Sequence, residues 1–417
     1  LFRYKPDYRT AVPRTVLDWS EWGGFDKAVE MCNNNGHCRK FDAGTMCPSY
    51  RATRDEIHLT RGRANTLRLA LSGQLGAEGD EAVKAALDLC VSCKGCKREC
   101  PTGVDMARMK IEFLAHYNAS RGYSVRDRAI GFLPRYAPLA ARFALLSNLA
   151  TRVLKRPLRF ASRPLPRWRR DYFRHPGVEH GDVVLFVDTF NRYFEPENAR
   201  AAKTVLEAAG YSVEMPQGVC CGRTFLSVGM IDEAKREARR LLDTLKPALK
   251  RGAPIVGLEP SCLYSLRDEI PALLPEGKAL APSAFLFEEF LAQRPGRLSF
   301  REAKHDVLLH GHCHQKAFDA MPAVEKVLAM VPGLKVRTIE TSCCGMAGSF
   351  GYEAEHADVS MKMAEMTLLP VIRNAPEAML VADGTSCRHQ ILDGTGRKPL
   401  HVARVLEAAL SARQARS

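Results

Sequence analysis

The 417-residue chain lacks any run of about 18 uncharged apolar residues, the length a helix needs to cross a bilayer. Its opening residues do not read as a secretory leader, so none is expected. Fourteen cysteines without such a leader argue against a disulfide framework and for a reducing, cytoplasmic setting. The Gly-rich loop of a dinucleotide fold is missing, so no flavin site is expected within this sequence. Recognised nucleic-acid motifs are missing too. The opening Leu1-Phe2-Arg3-Tyr4 has no Met and reads like the interior of a longer polypeptide, so a fragment or one half of one is expected.

Acidic residues are scarce in one place. Residues 121–174 hold 14 basic and 2 acidic side chains, whereas residues 181–417 hold 29 of each. Pro134, Pro138, Pro157, Pro164, Pro166 and Pro176 break up the basic stretch. Apolar residues between 130 and 154 recur at helical spacing, which predicts one or two basic amphipathic helices. Residues 126–180 are therefore read as an interdomain strap whose apolar face packs on its own protein. The alternative is a surface that rests on anionic lipid, peripheral on the inner face of a membrane, or docks an acidic redox partner.

The cysteines are clustered, which in such a chain points to metal. The strongest motif is Cys90-x2-Cys93-x2-Cys96-x3-Cys100-Pro101. Three closely spaced thiolates can wrap one cubane, while the fourth, followed by proline, serves the other cluster of a pair. The partner motif is Cys32, Cys38 and Cys47-Pro48, with Asn35 where a second cysteine is expected. Crossing the two motifs assigns Cys90, Cys93, Cys96 and Cys47 to one [4Fe-4S] cluster. Cys32, Cys38 and Cys100 are left one thiolate short, for a [3Fe-4S] cluster or a [4Fe-4S] cluster with His37 or Asn35 as the extra ligand. The bland alternative makes these three structural. Residues 55–71, 80–89 and 105–117 show helical periodicity, with Asp105 as an N-cap. Residues 1–125 are thus expected to form an all-α ferredoxin. Lys94, Lys97, Arg98, Arg39 and Lys40 beside the ligands are expected to favour the reduced, more negative clusters.

From residue 181 the pattern repeats. A β-branched run at 183–187 has a counterpart at 307–310, and Cys220-Cys221-Gly222 one in Cys343-Cys344-Gly345. Charged helices at 231–245 and 354–369 follow, then strands at 254–258 and 378–382, then Ser261-Cys262 and Ser386-Cys387. This order twice over is a duplication, with α/β copies at 181–300 and 301–417 and sites at the carboxyl ends of parallel strands. The second copy adds Cys313, between His312 and His314, to complete a four-thiolate set with Cys343, Cys344 and Cys387. The first has about Asp188 at that position and keeps only Cys220, Cys221 and Cys262, so a site without a cluster is as open as one with it.

Together these features resemble a family of iron–sulfur proteins in which a helical two-cluster ferredoxin precedes two cysteine-rich CCG domains. That family includes the iron–sulfur subunits of glycolate oxidase and anaerobic glycerol-3-phosphate dehydrogenase, and subunits of heterodisulfide reductase. The run from Val16-Leu17-Asp18-Trp19 to Gly23-Gly24, the Gly36-His37-Cys38 variant and Gly44-Thr45-Met46-Cys47-Pro48 are most similar to the C-terminal half of FAD-linked D-2-hydroxy-acid dehydrogenases. The resemblance implies a flavoprotein domain or partner, carrying the FAD outside this chain, that oxidises a 2-hydroxy acid. Electrons would then pass through this module to an acceptor such as quinone. Family members carry a further Cys-x2-Cys in each CCG copy. Here Glu259 and Gly384 stand at the first position of that pair, which favours a [4Fe-4S] set over a five-cysteine non-cubane cluster. The alternative function is a heterodisulfide-reductase-like thiol–disulfide redox subunit. A zinc or nucleic-acid-binding protein is a more distant rival, and no catalytic residue is assigned.

Overall fold

A computed structural model describes residues 9–175, 177–412 and 414; Leu1-Phe2-Arg3-Tyr4 and Pro176 lie outside the described residues. Every regular element between residues 20 and 154 is helical. Asp105 caps its helix by accepting from Arg108 N at 3.1 Å, and that helix runs Met106–Arg121, longer than its periodicity suggests. The 55–71 pattern divides: Asp55 caps a 3₁₀ turn at Glu56–His58, and the α-helix proper is Thr60–Leu71. The third expected helix spans Gly79–Asp88.

Buried Glu112 explains the run at 16–24. Its carboxylate accepts from Val16 N (2.8 Å), Leu17 N (3.1 Å) and Trp19 Nε1 (2.9 Å), and Trp19 packs on Phe25. An unpaired buried carboxylate would be costly, so these donors fix the segment in place.

The duplicated region contains two parallel sheets. The first has the order β2-β1-β3-β4, from β1 (Val183–Phe186), β2 (Val213–Glu214), β3 (Ile255–Gly257) and β4 (Ala284–Leu286). The second has the order β6-β5-β7, from β5 (His305–Leu309), β6 (Leu334–Thr338) and β7 (Met379–Val381), with a parallel bridge from Val381 to Leu400. β1 and β3 are buried throughout, as expected of strands covered on both faces. β2, β4 and β6 escape the sequence reading because they are short or half-polar. One apolar core joins the copies through Leu185, Val256, Leu309, Val381 and the helices Pro196–Ala208 and Val402–Ala409. The helix expected at 354–369 is two, Ala357–Glu365 and Leu368–Arg373.

The basic segment forms three helices, Val125–Gly131, Leu133–Arg142 and Ala144–Leu154. The strap reading holds for Ile130, Phe132 and Leu133, which pack on the protein, but not for the last helix. Leu145, Leu146, Leu149 and Val153 point away from the protein rather than onto it.

Candidate metal centres

All fourteen cysteines are free thiols, and all but Cys100 are buried. Cys47, Cys90, Cys93 and Cys96 line one small cavity together with Thr60 and Met106. Cys47 Sγ lies 3.0 Å from Thr60 Oγ1. Burial pushes the Cys93 and Cys96 thiols well up, and neighbouring cysteine charges add to it. A metal must displace those protons to bind. Four soft thiol donors around one small, largely enclosed cavity, with Arg63 and Lys94 also in its wall, fit an iron–sulfur cluster. Gly95 sits where a Cβ would come within 3.0 Å of Met46 N, so the two ligand loops touch backbone to backbone. Lys110 Nζ donates to Cys90 O at 2.6 Å and holds the first loop from behind.

Cys32, Cys38 and Cys100 lie on the other side. Burial raises the Cys32 thiol and charge on Cys100 adds to it; Cys38 is raised by burial in the same way, with Cys32 adding. Arg68 donates to Cys32 O at 2.7 Å. Asn35 and His37 are exposed, and Asn35 Oδ1 accepts from His37 N at 2.8 Å within its own turn. Neither side chain is brought in as a fourth donor.

In the second cysteine-rich copy the thiols of Cys313, Cys343, Cys344 and Cys387 form an unbroken chain of side-chain contacts. For Cys343 the contact with Cys313 lowers the thiol, but the contact with Cys344 and burial push it up to about 12. Gly345 N donates to Cys343 Sγ at 3.4 Å. Its φ is +86°, and a Cβ there would meet Ser360 O at 2.3 Å, so only glycine closes this turn. A ring nitrogen of His310 and the sulfurs of Cys344 and Cys387 lie within 4.8 Å of one another. Lys316, which the sequence reading passed over, donates to Thr341 O (2.6 Å), Thr341 Oγ1 (3.0 Å) and Ser342 O (3.2 Å), positioning the segment that delivers Cys343. His312 is a helix cap, accepting from His314 N at 3.1 Å, and His314 Nε2 donates to Ser92 O at 3.0 Å.

The first copy brings together Cys220, Cys221 and Cys262. Gly222 N donates to Cys220 Sγ at 3.4 Å, repeating the turn of the second copy. Asp188 lies beside Cys262, but it is the N-cap of Thr189–Tyr193, accepting from Phe190 N and Asn191 N. His312 caps the equivalent helix Cys313–Ala317. The cap register therefore corrects the alignment by one residue: Asp188 matches His312, and Thr189 stands in the place of Cys313. Burial, with Glu259 nearby, pushes Asp188 up to about 6. Glu259 accepts from Thr385 N at 2.8 Å, tying the first copy to the helix that carries Cys387.

The cations beside the ferredoxin cysteines are not free charge. Lys94 is buried against Asp268 and Glu269, and Lys97 and Arg108 reach Asp268 at 2.7 and 3.2 Å. Lys40 pairs with Glu99, Arg39 with Glu56 and Arg98 with Asp319. Each of these cations thus has a carboxylate partner, several of them from distant sequence.

Residues 28–104 match the model of a 4Fe-4S dicluster domain, and residues 184–267 and 307–391 each match that of a cysteine-rich domain. The chain is 26% identical, over 92% of its length, to D-2-hydroxyglutarate dehydrogenase of Escherichia coli (strain K12), and covers 45% of that protein. It is 25% identical to the glycolate oxidase iron-sulfur subunit of the same organism, over 92% of this chain and 95% of the relative. One subunit of that organism's anaerobic glycerol-3-phosphate dehydrogenase is 26% identical over 59% of this chain and 63% of the relative. The chain thus spans a little under half the length of the D-2-hydroxyglutarate dehydrogenases it matches. It is an iron–sulfur protein that carries a 4Fe-4S dicluster domain and two cysteine-rich domains, related to the iron–sulfur subunits of glycolate oxidase and anaerobic glycerol-3-phosphate dehydrogenase.

Proposed function

We propose that the chain is the electron-transfer module of a flavin-linked 2-hydroxy-acid dehydrogenase and delivers electrons to an acceptor such as a quinone. The carrying observation is that Cys93 belongs to one buried apolar cluster with Cys313, Cys343, Cys344 and Cys387, where charge on Cys313 and Cys343 adds to burial in raising its thiol. The ferredoxin donor set and the second cysteine-rich donor set are therefore neighbours. Clusters bound there would accept and release electrons one at a time. Cys47, Cys90, Cys93 and Cys96 would hold one, and Cys313, Cys343, Cys344 and Cys387 another. Cys32, Cys38 and Cys100 would hold a three-thiolate cluster within an all-α ferredoxin.

The protein's own part is to hold these thiols in place and exclude water from them. Val91, Met346 and Phe350 pack around the junction, His314 ties it to the Ser92 loop, and Ser342 Oγ donates to Thr45 O. The names of the relatives support the substrate class, since glycolate and D-2-hydroxyglutarate are both 2-hydroxy acids. The FAD belongs on a flavoprotein domain or partner outside this chain. Protein made from residues 1–417 should bind no FAD and oxidise no 2-hydroxy acid unless that flavoprotein is added. Stoichiometric flavin in the isolated chain would overturn the proposal.

A further inference from the structure

The helices Leu133–Arg142 and Ala144–Leu154 are inside out. Small and polar residues face the protein. Ala137, Ala141 and Ala144 pack on Trp168, Tyr193 and Phe194. Asn148 Nδ2 donates to Trp168 O at 3.0 Å, and Asn148 Oδ1 accepts from Trp168 N at 2.9 Å. Thr151 Oγ1 accepts from Trp168 Nε1 at 3.4 Å. The large apolar side chains face outward. On the second helix these are Leu145, Leu146, Leu149, Val153 and Leu154, preceded by Leu139 and Phe143, each 50–68% exposed. At about 100° per residue the first four of these fall within an arc of about 100°. A helix facing only water would carry the opposite pattern.

The charges say what covers it. Arg152 stands at the edge of the apolar arc, Arg142 ends the preceding helix and Arg156 follows the second helix. None of the three has an ion-pair partner among the described residues. Only two acidic residues occur in residues 121–174 against 14 basic ones. A second copy meeting this face about a twofold axis would set arginine against arginine. An 11-residue helix is about 16 Å long, too short to span a hydrocarbon core of about 30 Å. An apolar ridge with a basic rim matches the way a helix lies in a lipid interface, with leucines among acyl chains and arginines among anionic headgroups.

We propose that residues 133–156 form an interfacial docking face for a bilayer bearing anionic headgroups. The proposal stands apart from the choice of flavoprotein partner. It is tested by co-sedimentation of the anaerobically purified, cluster-loaded protein with phosphatidylcholine vesicles that do or do not contain phosphatidylglycerol. The protein should sediment with the phosphatidylglycerol vesicles and be released by salt. The triple substitution Leu145→Gln, Leu146→Gln, Leu149→Gln should weaken binding at least about tenfold, and Arg142→Gln, Arg152→Gln, Arg156→Gln should do the same. Both variants change exposed side chains, so iron content and the unfolding midpoint should stay at the wild-type values. Failure to bind anionic vesicles, or binding that the leucine variant leaves intact, overturns the proposal. So does a wild-type dimer that the leucine variant dissociates, since a second copy would then be the occupant.

Discussion

The two cysteine-rich copies share a strand order, a Cys-Cys-Gly turn and a helix cap after the first strand, yet they relate to the ferredoxin in opposite ways. The second copy offers it sulfur: Cys313 and Cys343 share a buried cluster with Cys93. The first offers it an apolar face and a set of carboxylates. The electrostatic neighbours of Cys220, Cys221 and Cys262 are one another and the carboxylates Glu237, Asp188 and Glu259. This copy meets the ferredoxin through a shared apolar core, with Phe225, Val228 and Met230 in one cluster with Phe113 and Leu114, and through Asp268 and Glu269 on Lys94, Lys97 and Arg108. On the proposed assignment, one copy serves as a redox site and the other as a mount. One residue marks the divergence, Cys313 in one cap register and Thr189 in the other.

The sharpest way to break this comparison is a matched pair of substitutions. Cys344→Ser should lower iron and sulfide by one cluster's worth and reduce electron flow to the acceptor at least about a hundredfold, because a lost thiolate leaves a soft metal site short of a donor. Cys221→Ser should leave both unchanged. Equal losses of iron in the two variants would make the copies equivalent. Metal analysis and acceptor-reduction assays read the outcome.

The mount is tested at Asp268, whose carboxyl is held well below the usual range by Lys94, Lys97 and Arg108 despite its burial. Asp268→Asn should destabilise the protein by about 3 kcal/mol, since it strips a partner from buried Lys94. Thermal unfolding should show the drop with iron content retained. Unchanged unfolding would place the ferredoxin's anchorage elsewhere.

A smaller effect is expected where the ferredoxin meets the second copy. His356 donates through both ring nitrogens, to Asp88 at 2.7 Å and Glu353 at 2.8 Å, and stacks on Phe350. Burial opposes its charge, but those carboxylates raise it to about 9. A histidine raised above its unfolded value of about 6.5 stabilises the fold fully below that pH and loses its contribution as pH rises through about 9. The contribution is on the order of 2 kcal/mol, discounted for partial solvent screening. Stability measured by denaturant titration should fall between about pH 6.5 and 10, and His356→Gln should flatten that slope. A slope that survives the substitution would assign it to other groups.

The least disruptive change is Asn35→Cys. Asn35 is exposed and bonded within its own turn, so the substitution should cost little stability. It should convert a [3Fe-4S]-type electron paramagnetic resonance signal of the oxidised protein into that of a four-thiolate cluster. An unchanged spectrum would count against the pairing of the two ferredoxin motifs.

Local sequence pointed to the cysteines that the fold draws together because they sit in short motifs whose spacing constrains the geometry. Cys90 to Cys100, the two Cys-Cys-Gly turns and the cap at Asp105 are all of this kind. What it could not carry depends on long-range pairing or on direction. Lys94 and Asp268 are 174 positions apart, so the lysine read as a free charge. The periodicity of residues 130–154 located an apolar face correctly but not its direction, because only the packing of Ala137, Ala141 and Asn148 on and beside Trp168 turns that face outward. The offset between Asp188 and Thr189 needed the cap hydrogen bonds, which depend on backbone conformation rather than residue type.

The inequality of the copies is met most directly by an iron-edge anomalous difference map from crystals of anaerobically purified protein. Iron is expected between the sulfurs of Cys313, Cys343, Cys344 and Cys387, and at the two ferredoxin sets, with none at Cys220, Cys221 and Cys262. Iron at the first copy, or its absence from the second, would contradict the division into redox site and mount.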